Sequence, residues 1–313
     1  MSVPRASAPG RVITRPPALL SARAGAGFLA PAFAFITLFL LLPFAWIVGV
    51  SFTNQTLLGA NADTGFVGLS NYARMFDTAS WLPGGFGYSL IVTAIFALAS
   101  LSGQVALGLS LALLFHGRRG WWREVVFTLV TLCWILPEVP VAFGWLSFLD
   151  RDFGLLNVIL RALHLGSPDW TLDHPLAAII LFNIWRGTAF SMLLFSAALA
   201  SIPPSYLEVA AVSGARPWRR FWDIIVPSIR PQVLSAVVLI SLWTFNTFGP
   251  YLITAGGPLN KTDIVAIHTY RVAFRFGDWG LGTAIAMFTM LLNLLLTAVY
   301  LLASRKREPN AGA

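Results

Sequence analysis

The chain has 313 residues, of which 57% are hydrophobic and 11% are charged, and its formal net charge is +8. Soluble domains average roughly 25% charged residues, so this composition excludes a soluble enzyme or binding module and predicts an integral membrane protein. The basic residues lie in short clusters beside apolar runs, as membrane topology requires, and form no continuous patch of the kind that binds nucleic acid. No nucleic-acid partner is therefore predicted.

Six apolar stretches follow an N-terminal segment, residues 1–27, which is rich in Pro, Ala, Arg and Ser and is expected to be a mobile tail. A helix that crosses a bilayer needs ~20 mainly apolar residues. The predicted spans are residues 28–52, 89–115, 125–148, 175–201, 232–254 and 281–304. They make one all-α membrane domain over residues 28–304, with a C-terminal tail at 305–313. The first stretch is too long for the core of a signal peptide, so we interpret it as a retained helix.

Basic residues in the flanks orient these spans, because cytoplasmic loops carry an excess of Lys and Arg. Fourteen basic residues flank the spans on one side of the membrane and six on the other. The richer side is predicted to be cytoplasmic, and both termini lie on it. Segment 202–231, between the fourth and fifth spans, is on the same side.

Segment 202–231 is predicted to begin with a short helix outside the hydrocarbon. Pro203 and Pro204 end the fourth span because proline cannot continue a helix. Ser205 and Glu208 have the spacing of a capping box, which begins a new helix.

A glycine turn and a second short helix complete this segment. Gly214 permits the chain to reverse, with a positive φ angle that most residues avoid. Pro217 suits the first turn of a helix over residues 218–225, which is predicted to end before Pro227.

The order of Glu208, Ala210, Gly214, Ile225 and Pro227 resembles the EAA loop of permease subunits from binding-protein-dependent ABC importers. In that family the loop is the coupling helix, which enters a cleft on a cytoplasmic ATPase. The residues with implied coupling roles are Glu208, Ala210, Ala211, Gly214, Arg216, Arg219, Arg220 and Pro227. Ala210, Ala211 and Gly214 are small residues on one helical face, which would let a partner approach closely. As alternatives, Glu208 only closes the capping box, and the three arginines bind membrane lipid phosphates.

Two positions depart from the family pattern, since Val209 replaces an alanine and Ser213 stands where many sugar permeases have aspartate. Neither change removes the predicted helix, turn and helix. Three further segments are similar to the maltose-type sugar permeases, in the family's order. They are residues 66–76 (FVGLSNYARMF), 184–199 (IWRGTAFSMLLFSAAL) and 252–286, which begins LITAGGP and ends DWGLGTAIA.

The resemblance implies the six-span fold of type I ABC importer permeases in the cell inner membrane, and an import function for a sugar or sugar derivative. It also implies partners: a second permease subunit, two ATP-binding cassette ATPases and an extracytoplasmic solute-binding protein. Importers of glycerol phosphates or polyols remain open as an alternative. A secondary transporter of a small polar solute and a membrane enzyme are further alternatives.

The chain lacks the G-x-x-x-x-G-K-[ST] loop that cradles nucleotide phosphates, so it is predicted to hydrolyse no ATP. ATP and Mg²⁺ are expected on partner subunits, with no cofactor and no catalytic residue in this chain. The single cysteine, Cys133, excludes an intrachain disulfide, and the four histidines show no metal-ligand spacing.

Two charged residues fall well inside predicted spans, where an unpaired charge costs at least ~2.5 kcal/mol. Arg186 lies in the fourth span, and Glu138 lies in the third between Pro137 and Pro140. Three roles for Arg186 remain open: an ion pair with Glu138, a cap for backbone carbonyls near Gly187, or a place in the substrate pathway. Pro43, Pro137 and Pro140 are predicted to kink their helices.

The fifth span is the predicted substrate site, because it combines aromatic rings with amides and hydroxyls, which sugars require. Gly249 and Pro250 are predicted to break this helix and open a cavity there. The candidate pathway residues are Asn183, Arg186, Trp243, Asn246, Thr247, Phe248, Tyr251 and Asn293. The alternative is that these amides and rings only pack helices together.

Overall fold

A computed structural model describes residues 22–57 and 64–305. The N-terminal tail was predicted at residues 1–27 and the C-terminal tail at 305–313. Of these, residues 1–21 and 306–313 lie outside the described residues. Within those ranges the chain is helical, with two isolated β-bridges, Thr53–Phe66 and Thr56–Asp278, and no strand. Two compact units are present: the first ends at Gly49 and the second begins at Val50.

One apolar helical run occupies the described part of the first unit and ends at Val50, the first residue of the second unit. Helix α1 is Ala22–Ile36, a π-helical turn follows over Thr37–Leu41, and helix α2 is Leu42–Val50. Pro43 is the second residue of α2, directly after the wide turn. The proline kink predicted here is therefore a π-turn, which displaces the backbone hydrogen bond that proline could not donate.

Twelve helices are described in the second unit. They are α3 (Ser70–Arg74), α4 (Phe86–Phe115), α5 (Trp121–Ile135), α6 (Glu138–Phe148), α7 (Leu155–Ala162), α8 (Pro175–Ala200), α9 (Pro204–Val212), α10 (Pro217–Arg220), α11 (Val226–Phe245), α12 (Gly249–Thr254), α13 (Val265–Tyr270) and α14 (Trp279–Arg305). By length and apolar character, the described residues contain five helices that could cross a membrane, or six if the bent pair α5–α6 is one span.

The third predicted span, residues 125–148, is broken and not merely kinked. Helices α5 and α6 diverge by 106°. Leu136 and Pro137 have ψ angles of 141° and 138°, so both are extended between the helices. The residue before a proline avoids the helical region, which explains the break. Glu138 therefore begins α6 and does not lie in the middle of a continuous helix.

The prediction that the second short helix ends before Pro227 is wrong. Helix α10 continues through a π-helical turn, Phe221–Ile225, into α11 without interruption. In this turn the Val226 N–H bonds to the Phe221 carbonyl, so the wider register accommodates Pro227. Pro231 also lies inside α11.

Helices α4 and α8 cross at very short distance. A Cβ placed on Gly108 of α4 would lie 2.5 Å from the Ser191 Cβ of α8, and one on Gly187 of α8 would lie 2.2 Å from the Gln104 side chain. Small residues permit such close helix contact in membranes. Phe96, Phe182 and Phe195 are among the largest fully buried side chains nearby.

A buried ion pair connects the residues before and after α13, and hydrogen bonds from the same two residues reach the start of α4. The Arg271 Nη2 lies 2.6 Å from Asp263 Oδ2 and 3.0 Å from the Gly84 carbonyl oxygen. Asp263 Oδ2 also accepts from the Ser89 hydroxyl and lies 3.0 Å from His268 Nδ1. Asp263 is completely buried and Arg271 nearly so. The sequence indicated neither residue as a buried charge.

Candidate functional site

A cavity of about 350 Å³ lies among α4, α5, α6, α8 and α11. Six of the eight residues predicted for the substrate pathway line it: Asn183, Arg186, Trp243, Asn246, Thr247 and Phe248. The polar face of α8 and the end of α11 thus line the same cavity. Their role in the pathway stays a prediction.

The end of α11 shapes one wall of this cavity. The helix stops at Phe245, and α12 begins only at Gly249, as the Gly249–Pro250 pair predicted. The side-chain amide of Asn246 donates to the Leu242 carbonyl oxygen at 2.7 Å and so caps the end of the helix. Non-helical backbone within a span is tolerated where it lines a cavity.

Two residues of α8 that line this cavity each carry a hydrogen-bond donor without a partner in the described part of the chain. Among the described residues, Asn183 Nδ2 and Arg186 Nη1 are buried and make no hydrogen bond. The two residues are three positions apart, so they share one face of α8. Buried donors of this kind are costly unless something satisfies them. They are therefore the groups best placed to bind a polar ligand.

Glu138 lines the same cavity as Arg186, but no ion pair within 4.0 Å joins them in the part of the chain that the structure describes. The Glu138 carboxylate instead packs against Gly249, leaving no space there for a Cβ atom. Arg186 lies on the cavity wall, and its place in the substrate pathway stays a prediction.

An aromatic wall completes the cavity. The Phe190 ring centroid lies 4.8 Å from that of Trp243 and 5.4 Å from that of Trp134. Trp134 and Phe190 come from α5 and α8, and no pattern in the sequence groups them with Trp243. Gln104 of α4, whose amide donates to the Asn183 carbonyl oxygen at 3.2 Å, was also missed.

Tyr251 and Asn293 do not line this cavity. Tyr251 stacks on Phe248 with a centroid distance of 4.8 Å and meets the Tyr270 ring edge-on. Asn293 Nδ2 donates to Asn246 Oδ1 at 3.2 Å, which places Asn293 behind a lining residue.

Segment 204–225 forms the predicted helix, glycine turn and helix. The Ala215 N–H bonds to the Ala210 carbonyl oxygen, and the Gly214 N–H bonds to the Ala211 carbonyl oxygen. Gly214 has a φ of +70°, as predicted. This is a Schellman end, in which glycine adopts the left-handed conformation without steric cost.

Three details of this segment differ from the sequence prediction. No capping box forms, because Pro203 and not Ser205 precedes the first helical residue, and no side chain among the described residues caps the helix. Ala210 is buried within the chain, so it offers no surface for close approach. Arg220 donates from Nε to the Ala215 carbonyl oxygen at 2.8 Å and so braces the turn itself.

The exposed surface of the segment includes large apolar side chains that the sequence analysis did not single out. Val212 is 91% exposed and Trp218 is 70% exposed, beside the exposed Glu208, Arg216 and Arg219. Exposed apolar groups framed by charges are typical of protein interfaces.

No group of three or more His, Cys, Asp or Glu side chains is placed to hold a metal ion within residues 22–57 and 64–305.

Known proteins similar to this chain share its length. The trehalose/maltose transport system permease protein MalF of Thermococcus litoralis is 31% identical over 292 residues, which cover 92% of this chain and 95% of that protein. The sulfoquinovosyl glycerol transport system permease protein SmoG of Agrobacterium fabrum is 32% identical over 290 residues, covering 90% of each.

A similar fold is present in a solved structure. A chain in the crystal structure of a bacterial alginate ABC transporter, in complex with an alginate pentasaccharide-bound periplasmic protein, matches with a TM-score of 0.76. The identity is 22%, and the match covers 90% of this chain and 93% of that chain.

The model of one protein family, described as the binding-protein-dependent transport system inner membrane component, matches residues 104–308. This match covers the cavity and the helix–turn–helix segment together. With the two permease relatives, it shows that the chain belongs to the family of inner membrane components of binding-protein-dependent transport systems.

Proposed function

We propose that the chain is the membrane-spanning subunit of an ABC importer for a sugar or sugar derivative. Family membership supports binding-protein-dependent transport. The relatives named for trehalose and maltose, and for sulfoquinovosyl glycerol, support a sugar or glycoside as the substrate. The latter name also keeps a glycerol derivative as a candidate.

The side chains that line the cavity are the observation that supports a sugar as the substrate. Sugars present C–H faces that pack on aromatic rings and hydroxyl groups that need hydrogen-bond partners. Trp134, Phe190 and Trp243 supply the rings, while Asn183 and Arg186 supply donors that have no partner among the described residues. A hydroxyl-rich ligand would satisfy both sets at once.

The energy for transport would come from two ATPase subunits that bind ATP and Mg²⁺, with this chain as a non-catalytic subunit. The hydrogen-bonded turn at Gly214 and the exposed Glu208, Val212 and Trp218 suit segment 204–225 for docking to such a subunit. A second permease chain, which the family resemblance implies, and an extracytoplasmic binding protein would complete the importer. The complex of the alginate transporter with a periplasmic protein supports the latter.

Reporter fusions test the orientation on which this assignment depends. Fusions after Arg220 should give a cytoplasmic signal, because the basic flanks place segment 202–231 inside. Fusions near Asn71 and Lys261 should give an external signal. Alkaline phosphatase and green fluorescent protein, compared at each position, provide the measurement. A cytoplasmic signal at Lys261 would contradict the six-span topology.

Substitution of Asn183 and Arg186 tests whether this cavity binds the substrate. Asn183→Ala should weaken substrate-stimulated ATPase activity of the complete importer about threefold, and Arg186→Gln about 10- to 100-fold, in line with neutral and charged hydrogen bonds. The measurement uses the loaded binding protein, after a carbohydrate panel has identified its ligand.

Tyr251→Phe is the matched control for these variants, because Tyr251 lies off the cavity wall and its hydroxyl has no hydrogen bond among the described residues. It should leave stimulation unchanged. Full stimulation in both Asn183→Ala and Arg186→Gln, with all subunits assembled, would move the substrate site elsewhere.

A further inference from the structure

A second cavity, of about 440 Å³, lies where α4 ends, α5 begins and α8 ends. It shares no lining residue with the first cavity. One part of its wall is apolar and comes from the helices: Ala112, Phe115, Phe127 and Ala200. The other part is basic and comes mainly from the loop between α4 and α5. Such a division indicates an amphipathic ligand.

The basic part of the wall has an excess of positive charge. Arg123 Nη1 donates to Glu124 Oε1 at 2.6 Å, so this arginine is already paired. Arg118 and Arg119 are exposed, and within the described ranges neither side chain makes a hydrogen bond or ion pair. His116 also lines the cavity. Two guanidinium groups are thus available for an anion, and guanidinium matches phosphate oxygens in geometry.

A buried hydroxyl adds a donor at the same cavity. Ser196 of α8 lines it, and the Ser196 Oγ is buried without a hydrogen-bond partner in the described part of the chain. Gly120, which also lines the cavity, precedes α5 and has no side chain to cap the first turn of that helix. The N-terminus of a helix carries a partial positive charge, which favours an anion there.

The surroundings are those of a membrane–water boundary. Trp121 and Trp122 stack at 4.0 Å between ring centroids, and each is 64% exposed. Amphipathic tryptophan rings concentrate at the level of lipid headgroups. The Arg123 guanidinium lies 4.5 Å over the Phe127 ring, where the basic and apolar parts of the wall meet.

We propose that this cavity binds an anionic phospholipid. Arg118 and Arg119 bind the phosphate, Ser196 donates to one of its oxygens, and an acyl chain covers the apolar wall formed by Phe115 and Phe127. A free phosphate ion has the same oxygen chemistry but would leave that apolar wall uncovered. An acidic segment of a partner subunit would likewise lack the acyl chain.

Lipid titration of the intact, fully assembled importer tests this proposal. The affinity of the importer for phosphatidylglycerol is measured by native mass spectrometry, with phosphatidylcholine as the comparison lipid without net charge. The double variant Arg118→Gln/Arg119→Gln should weaken phosphatidylglycerol binding about 25-fold, from about fivefold for each arginine near the membrane surface. Ser196→Ala should weaken it about tenfold, as expected for a lost hydrogen bond to a charged group.

Arg151→Gln/Arg275→Gln is the control, since it removes two exposed arginines that do not line this cavity. It should leave the affinity unchanged. Equal loss in the control, or no effect of Ser196→Ala, would show diffuse attraction and overturn the site. Displacement of the lipid by millimolar inorganic phosphate would indicate a soluble anion instead. Loss of an ATPase subunit at unchanged lipid affinity would indicate a protein partner.

Discussion

Gly214→Val is expected to abolish transport while the membrane helices still fold and insert. Gly214 has a φ of +70° at the turn between α9 and α10. A β-branched residue in this conformation costs about 1–3 kcal/mol, so the turn would rearrange and displace the exposed surface that we propose as the docking site for the ATPase. Uptake by cells, together with co-purification of the ATPase, measures the effect.

Gly214→Asn separates the backbone conformation from the added side chain, because asparagine tolerates the left-handed region far better than valine. It should keep a substantial part of transport. Gly166→Val is a second control, since Gly166 has a φ of +85° in the loop between α7 and α8, and no atom of the described residues lies within 4 Å of an added Cβ. Normal uptake by Gly214→Val, with the ATPase bound, would remove the coupling assignment of this segment.

Asp263→Asn is expected to lower the stability of the chain by about 3–5 kcal/mol, because it leaves a buried arginine without its counter-charge. Asp263 Oδ2 lies 2.6 Å from Arg271 Nη2, and Asp263 has no exposed surface. The substitution keeps the size of the side chain, so the loss reports on charge and not on packing. Denaturation of the purified protein in mixed detergent micelles measures the free energy of unfolding.

Asp278→Asn provides the matched control, since Asp278 pairs with Arg74 at the same kind of distance, 2.8 Å, but in a more exposed setting. Exposed pairs contribute about 0–1 kcal/mol, and asparagine can still accept the hydrogen bond from the Leu281 N–H. A similar loss in both variants would show that burial does not set the strength of the Asp263–Arg271 pair.

The spans themselves could be predicted because apolar length is a local property. Helices α4, α8 and α14 begin and end within three residues of their predicted bounds. Proline positions were harder to interpret. The same residue type produced a π-turn before Pro43 and Pro227, and a 106° break at Pro137. Whether a proline produces a π-turn or a break depends on whether the neighbouring chain can widen one helical turn. The proline residue alone does not determine this.

In the candidate site, too, some features could be predicted from the sequence and others could not. The break before Gly249 follows from local glycine and proline chemistry, so the sequence placed the polar end of α11 at a cavity. The aromatic wall joins Trp134, Phe190 and Trp243 from three helices, and no spacing along the chain relates them. Likewise, the Glu138–Arg186 ion pair that the sequence left open does not form, since Glu138 packs on Gly249 instead.

The sequence by itself determined the membrane character of this protein, the positions of most spans, the helix–turn–helix segment at Gly214 and the absence of a nucleotide-binding loop. These follow from hydrophobicity, positive-φ glycine and short motifs, which act over a few residues. Only the tertiary structure decided that Asp263 and Arg271 are buried together, that Ala210 faces inward, and that Asn183 and Arg186 each keep a donor with no partner among the residues described. Burial and hydrogen-bond partners depend on residues distant in the chain, and their energies are set by the neighbours that packing brings into contact.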